Sequence, residues 1–298
     1  MKNIYIILLL GFLCLPVHAQ VDDYFNGYKI NGNFSFELEQ QLLQKNHFLD
    51  IIPFSSDTIV AIRQQSYYLT YKFGLQRELE INESSINHLI SGIDDTNQTI
   101  VGNCILYLQS FSPSEFSIPA LQRIDSLLQS DNQYHFRELY KLAAYLGVGL
   151  ETIQRQLLQK DKYNNNQRWV MHLALARLGH AKSIQYCLQV AEQIAEGNDQ
   201  VAYLVPDLIY TRQRELINYC LEILNSNEEN CSSPNPDIDT KILCAYRVLE
   251  LLAPIIRNFP YKHSPSGYLQ VEDYQKALYG AREWFFNNPD YQINSDTF

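Results

Sequence analysis

Apolar residues recur along most of this chain with the spacing of helices, and one stretch of the pattern is copied. The segment Ile-Gln-Tyr-Cys-Leu at 184–188 returns as Ile-Asn-Tyr-Cys-Leu at 217–221, 33 residues later. A period of about 33 residues is typical of arrays in which pairs of antiparallel helices stack on their neighbours. Because the copied stretch has no charged residue, it predicts a packed core and gives no sign of chemistry.

The copied segment also indicates which helix face is buried. Apolar residues at positions i, i+3, i+4 and i+7 of a helix form its buried stripe. Here the stripe consists of Ile184, Cys187, Leu188 and Ala191. The second copy repeats the stripe at positions 217, 220 and 221. We therefore predict that Leu188→Asp or Leu221→Asp would unfold part of the array, because an unpaired charge would enter a helix seam.

Pairs of helical segments fill the middle of the chain. The apolar spacing predicts a first pair at 59–73 and 86–93, followed by 97–111 with 114–128, 132–146 with 150–160, 167–178 with 181–195, and 200–210 with 212–224. Two of the first helices are followed by Gly147 and Gly179, and glycine is the residue that most readily ends a helix.

The two ends of the chain have weaker patterns. Residues 21–33 show no clear period, so we expect an irregular lead-in. Residues 239–256 predict one longer helix, with Asp237 and Asp239 as N-terminal caps. A last helix is expected at 271–287, ended by Pro289. Since strand signals are nearly absent, the predicted fold class is all-α, a right-handed α-solenoid of stacked antiparallel helix pairs.

Two stretches resemble known repeat families. Residues 167–179 (QRWVMHLALARLG) resemble the first helix of a HEAT-like, armadillo-type repeat, and 184–188 resembles its second helix. By periodicity the likeness covers about residues 55–256, although His180 stands where an acidic turn residue is usual. Residues 274–291 are similar to the second half of a tetratricopeptide repeat, and we interpret them as a capping helix.

The N-terminus has the features of a cleavable secretory signal. Lys2 precedes an apolar run over 4–15, and a small-residue exit ends at Ala19. The run has roughly 12 residues, fewer than the ~20 that a spanning helix needs, so no membrane insertion is expected after cleavage. The predicted organisation is a signal at 1–19, a lead-in with a first helix at 20–54, a repeat array at 55–258 and a C-terminal capping helix at 259–298. The predicted location is periplasmic or secreted.

Charge narrows the choice of partner. Without Lys2, which leaves with the signal, the chain has 22 basic and 33 acidic residues, a net charge of −11. That balance disfavours nucleic acid as a partner. The acidic residues are spread along the chain, which is typical of a solvated surface.

Five cysteines remain after removal of the signal, and an odd number leaves at least one free thiol. Cys187 and Cys220 occupy the same place in adjacent repeats. Helix axes pack about 8–10 Å apart, whereas a disulfide needs Cα atoms within about 7 Å, so we interpret both as buried apolar residues. Cys231 and Cys244 are the pair able to meet, because Cys231 lies in a polar loop, and the sequence leaves their pairing open.

No pattern in the sequence carries recognisable chemistry. The histidines lack the i, i+3 or i+4 spacing of a helical zinc site, and nucleophile elbows, phosphate loops and paired Cys-x-x-Cys motifs are missing. We predict no catalytic residues, no metal and no cofactor. An alternative is an exported enzyme whose site is assembled across repeats from some of these residues: His172, Arg177, His180, Asp237 and Asp239.

The exposed face of the copied helices remains available for binding. Stepping about 100° per residue places Gln189 opposite the buried stripe and Tyr186 at its margin, and the second copy places Glu222 and Tyr219 there. These four residues are our candidate partner-binding ladder. The alternative for the tyrosines is that they fill the seam between adjacent repeats.

The functional hypothesis is a non-enzymatic exported scaffold that binds a protein or peptide. An inhibitor or immunity-like module is a special case that differs in its partner. The sequence does not fix the oligomeric state.

Overall fold

The computed structural model describes residues 18–45, 47–76, 79–130, 134–159, 161–194, 197–233, 237, 239–264 and 268–298. Within these ranges the protein is mostly α-helical, with fifteen α-helices and one two-stranded sheet. Most of the predicted secretory signal, residues 1–17, lies outside them. None of the helices in these ranges has both the length and the apolar character needed to cross a bilayer.

The chain divides into two compact units, Met1–Ala120 and Leu121–Phe298. The helices of the first unit are α1 (His18–Asn31), α2 (Phe36–Gln44), α3 (Phe48–Ile51), α4 (Val60–Gly74), α5 (Leu79–Ser91) and α6 (Gln98–Leu108), and the boundary falls within α7 (Ile118–Leu127). The pair α4 and α5 packs together as the apolar spacing predicted. Short 3₁₀ turns at Ile52–Ser56, Gly92–Asp94 and Pro113–Glu115 connect these elements.

The expectation of an irregular lead-in at 21–33 was wrong. Residues through Asn31 form α1, and Val21, Tyr24 and Phe25 are buried in the core of the first unit. Phe25 stacks on Phe54 with ring centroids 3.9 Å apart. The positions 21, 24, 25 and 28 do have helical spacing, but polar residues and a glycine between them obscure the period.

The second unit contains the clearest hairpins. Its elements are α8 (Phe136–Tyr145), α9 (Leu150–Leu157), α10 (Asn165–Arg177), α11 (Ala181–Ala191), α12 (Val205–Thr211), α13 (Arg214–Asn225), β1 (Cys231–Ser232), β2 (Lys241–Ile242), α14 (Ala245–Leu252) and α15 (Tyr274–Asn287). The first helices of successive hairpins pack side by side, α8 on α10 and α10 on α12, and α11 packs on α13. Each hairpin therefore contacts the next one along the chain.

Two of the first helices end in the same way, as the glycines predicted. Gly147 and Gly179 have positive φ angles of 77° and 81°. After α10, Gly179 N donates to Ala176 O and His180 N donates to Leu175 O, and the equivalent pair of bonds follows α8. This is the hydrogen-bond pattern of a Schellman motif, which requires a left-handed residue at its centre.

Only some positions of the copied segments lie on the buried faces of their helices. Cys187 and Cys220 are both buried, unpaired thiols, as predicted. Leu188 and Leu221 are only partly buried at the edge of the same core. The buried stripe is therefore centred away from the leucines. It contains Ser183, Cys187 and Ala191 on α11, and Leu216, Ile217 and Cys220 on α13.

The prediction of one long helix at 239–256 was wrong for its first third. Residues Lys241–Ile242 form β2, which pairs antiparallel with β1, and the helix α14 begins only at Ala245. Asp237 and Asp239 are exposed, and because the strand β2 follows them, they do not cap a helix. A disulfide explains the difference: Cys231 and Cys244 are bonded, with Cα atoms 5.0 Å apart, which draws the residue before α14 onto β1.

The last helix closes the second unit. Helix α15 packs on α13 and α14. Its residue Arg282 donates to Leu224 O at 2.8 Å and to Ser226 O at 2.7 Å. These bonds satisfy carbonyl groups that are left without helical partners at the end of α13.

Candidate functional site

The two tyrosines of the predicted ladder lie in different surroundings. Tyr219 is half-buried on α13, where its hydroxyl donates to Ala191 O at 2.8 Å and accepts from Gln200 Nε2 at 2.9 Å. It thus fills the seam between successive hairpins, which is the alternative that the sequence left open. Tyr186 is 38% exposed on α11. Gln189 and Glu222 are exposed on α11 and α13.

The candidate site is a pocket close to Tyr186. The Tyr186 ring stacks on His172 with centroids 3.9 Å apart, and it lies against Trp169 at 6.5 Å. Trp169 also lines a cavity of about 570 Å³, which we call the Trp169 pocket. The residues around this cavity come from α8, α10, α11, the segment before α12 and α12 itself: Arg137, Asn166, Trp169, Val190, Ile194, Asp199, Tyr203, Leu204 and Asp207.

A buried carboxylate organises the pocket. Asp207 is 3% exposed. Its Oδ1 accepts from Lys141 Nζ at 2.8 Å and from Arg137, and its Oδ2 accepts from Trp169 Nε1 at 2.8 Å. The ammonium of Lys141 also lies 4.6 Å from the centre of the Tyr210 ring. Because one carboxylate holds the indole and both cations, the orientation of the Trp169 ring is fixed before any ligand arrives.

The charges of this network are not balanced within it. Two cations share one carboxylate, so the group of Arg137, Lys141 and Asp207 has a net charge of +1. Burial lowers the pKa of Lys141, while the charge of Asp207 opposes that change. The Arg137 side chain remains 39% exposed, and a guanidinium has five N–H donors. Arg137 can therefore hold Asp207 and still donate to a ligand.

A wide helical turn presents the outer wall of the pocket. Residues Gln200–Leu204 form a π-helical turn that runs directly into α12. Pro206 lies at the start of α12. Its ring would clash with the preceding turn if that turn were a regular α-helix, and the wide turn avoids this clash. The wide turn leaves Tyr203 72% exposed at the pocket, and π-turns of this kind are frequent at functional sites.

Of the residues considered for an enzyme, two share a partner. The Nδ1 atoms of His172 and His180 lie 3.1 and 2.9 Å from Ser183 Oγ. Ser183 is buried. The burial of His172 itself, aided by nearby positive groups, lowers the pKa of His172 to about 4. The imidazole of His172 is therefore neutral at neutral pH, and the serine hydroxyl has no access to a substrate.

The remaining residues of that hypothesis lie elsewhere. Arg177 donates to Tyr210 O and to the carbonyls of Ser295 and Thr297. Asp237 and Asp239 are exposed in the segment before β2. The lining of the Trp169 pocket includes none of these three residues and neither of the two histidines.

The thiols and acids of the described residues show no metal-like grouping. No set of three or more His, Cys, Asp or Glu side chains in these ranges is arranged to hold a metal ion. Burial raises the pKa values of Cys187 and Cys220 to about 12. Both are consequently protonated thiols that behave as apolar side chains.

Sequence reasoning missed the centre of the pocket. Asp207 was the available signal, because it stands alone among apolar residues in Leu-Val-Pro-Asp-Leu-Ile at 204–209. A lone acid on an apolar helix requires a partner. Its partners Arg137 and Lys141 are 70 and 66 residues away along the chain, a separation at which no spacing rule applies.

Comparisons with known proteins do not identify a family. A scan against protein-family models finds no match for this chain, and a search of curated proteins finds none either. The function therefore has to be inferred from the site itself.

Proposed function

We propose that this protein is an exported, non-enzymatic helical-repeat scaffold that binds a protein or peptide partner through the Trp169 pocket and the adjoining surface of Tyr186 and Gln189. One observation carries the proposal. The buried Asp207 fixes Trp169 and Arg137 at a cavity whose other walls are largely apolar. Preformed apolar cavities with a few placed polar groups are the usual form of a binding site.

The architecture that we propose is a HEAT-like, right-handed α-solenoid. Three features support it: helix-on-helix packing between successive hairpins, the 33-residue copy of the 184–188 segment, and the glycine ends of α8 and α10. A solenoid of this kind offers an extended inner surface to long partners.

Export is supported by the disulfide between Cys231 and Cys244. Disulfides form and persist in oxidising compartments outside the cytoplasm. Together with the secretory signal at residues 1–19, the bond favours a periplasmic or secreted protein.

The lining of the Trp169 pocket indicates what the partner presents. The rings of Trp169 and Tyr203 and the side chains of Val190 and Ile194 suit an apolar or aromatic side chain. Arg137 adds N–H donors that suit a carbonyl or a carboxylate next to it. Trp, Tyr and Arg are the residues most often found at the energetic centre of protein interfaces.

A matched pair of variants tests the proposal. Tyr203 lines the pocket and Tyr279 lies on α15, and both side chains are 72% exposed. The partner is first identified by co-purification with the native protein, and its dissociation constant is then measured by calorimetry. We expect Tyr203→Ala to weaken binding by about tenfold or more, with an unchanged melting temperature.

Tyr279→Ala is the control, because it removes an equally exposed ring from a different helix. It should bind the partner with the affinity of the parent protein. Equal affinities for the parent, Tyr203→Ala and Tyr279→Ala would show that the partner binds somewhere else.

A further inference from the structure

A second site in the Leu121–Phe298 unit is occupied by the chain itself. Four side chains form it, and we call it the tail groove: Tyr145, Arg177, Tyr210 and Arg212. Arg177 lies over both tyrosine rings, 5.2 Å from the centre of Tyr145 and 4.9 Å from that of Tyr210. Residues 294–298 lie in this groove.

The groove holds this segment almost entirely by its backbone. Arg212 donates to Asn294 O at 3.0 Å and to Phe298 O at 3.0 Å. Arg177 donates to Ser295 O at 3.2 Å and to Thr297 O at 3.0 Å. The Tyr145 hydroxyl donates to Asp296 O at 3.1 Å. Five successive residues are thus bound through their backbone oxygens, a mode of recognition that depends little on their side chains.

One side chain of the segment adds specificity. The Phe298 ring packs against Tyr145 and Tyr210, with both centroid distances 5.5 Å. The residues at 295–297 are exposed. The groove therefore contacts the backbone of these residues, which bends at Asp296, and a single aromatic ring.

The two cations of the groove explain why it accepts carbonyl oxygens. Both guanidinium groups are largely withdrawn from water, and each repels the other, which lowers the pKa of Arg212 to about 10. Their hydrogen bonds with residues 294–298 end on backbone oxygens, apart from one to the Thr297 hydroxyl. A peptide backbone supplies such oxygens at each residue.

The segment is anchored just before the groove, and within the groove most of its side chains are exposed. Asn294 N donates to Ile255 O at 2.7 Å, and Ile293 bridges to Ile256. Beyond this anchor, Phe298 is the one residue of 295–298 whose side chain is not exposed. Segments with few buried side chains open locally before the rest of a protein unfolds.

We propose that the tail groove is a peptide-binding site, that residues 294–298 occupy it as a displaceable ligand, and that it accepts in trans a peptide that bends as this segment does and has an aromatic residue at the position of Phe298. A tethered segment has an effective concentration in the millimolar range. The resident segment therefore outcompetes a free peptide unless its own aromatic contact is weakened.

The test uses the full chain and a fluorescent peptide with the sequence of residues 292–298, followed by anisotropy. Phe298→Ala removes the resident ring and leaves the groove intact. We expect this variant to bind the peptide about tenfold more tightly than the parent protein does, since partial burial of an aromatic ring contributes roughly this much. A peptide with alanine at position 295 should bind equally well, because the Ser295 side chain is exposed, and one with alanine at 298 should not bind.

Changes in the groove complete the test. Adding Arg212→Ala to Phe298→Ala should abolish peptide binding. Should that double variant unfold, Tyr145→Phe in its place removes one hydroxyl donor and should weaken binding severalfold. Tyr203→Ala should leave peptide binding unchanged, which separates this site from the Trp169 pocket. If folded Phe298→Ala binds the peptide no better than the parent, or binds the alanine-298 peptide equally well, the segment is a fixed part of the fold and the proposal fails.

Discussion

The two copied segments, 184–188 and 217–221, have nearly the same sequence and different surroundings. Their cysteines have the same packing role, because Cys187 and Cys220 are both buried in one core. Their tyrosines do not. Tyr219 is bonded into the seam through Ala191 O and Gln200, whereas Tyr186 rests on His172 beside the Trp169 pocket. The apolar positions of the copied segment serve packing in both places, whereas the tyrosine at their margin has a different environment in each.

The largest expected effect concerns the cysteine position, which is buried in both segments. Cys220→Asp places a carboxylate where no side-chain atom reaches water, and we expect a loss of about 4 kcal/mol or more in the free energy of unfolding. Leu221→Asp should lose clearly less, because Leu221 is only partly buried. Urea unfolding of both variants measures the difference. Equal losses would mean that the buried stripe is misplaced.

The next effect concerns the carboxylate beneath the pocket. Asp207→Ala leaves Lys141 and Arg137 without their shared partner, and breaking a buried ion pair in this way costs about 3–5 kcal/mol. Asp199→Ala is the control in the same pocket, since Asp199 is exposed, and should change stability by less than about 0.5 kcal/mol. A similar small change for both variants would show that Asp207 does not organise the site.

A smaller effect separates the two tyrosines. Tyr219→Phe removes a hydroxyl with two hydrogen bonds, and we expect a loss of about 1–2 kcal/mol. Tyr186→Phe should leave the free energy of unfolding unchanged within about 0.5 kcal/mol. Denaturant melts of the two variants provide the measurement, and the opposite order would reverse the roles that we assign to the two rings.

The last effect appears only when the pH is lowered, and it concerns the imidazole that stacks on Tyr186. Burial holds the pKa of His172 near 4, below the usual 6.5. As the pH falls, the unfolded chain is protonated first, so the stability from this group is complete above about pH 6.5 and is lost between there and pH 4. His172→Gln should make the fall in stability between pH 7 and pH 5 shallower. His88 has a pKa near 4 for the same reason and remains in both proteins, so the difference between the two slopes reports on His172. Identical slopes would contradict the assignment.

The hairpins of the second unit could be predicted from the sequence because their signals are local. Apolar spacing marked α10, α11 and α13, and Gly147 and Gly179 marked helix ends that the backbone confirms. Helix α1 was missed for a local reason too, since polar residues and Gly27 interrupt its apolar face.

The errors in the remaining parts have a different cause. The start of α14 depends on a disulfide that joins residues 13 positions apart, and the pocket depends on pairs between Asp207 and residues on α8. Spacing along the chain carries no information about such contacts. They depend on how one hairpin is placed against another, which the sequence pattern does not fix.

The most direct test of the account compares Tyr186→Ala with Tyr219→Ala in partner affinity, with the melting temperature of each as the control. Tyr186→Ala should weaken binding of the co-purified partner by about tenfold, and its melting temperature should fall less than that of Tyr219→Ala. Tyr219→Ala should melt at a lower temperature, and its folded fraction should bind like the parent protein. Unchanged affinity for Tyr186→Ala, or lost affinity for folded Tyr219→Ala, would contradict the assignment of the Trp169 pocket and its margin as the binding surface.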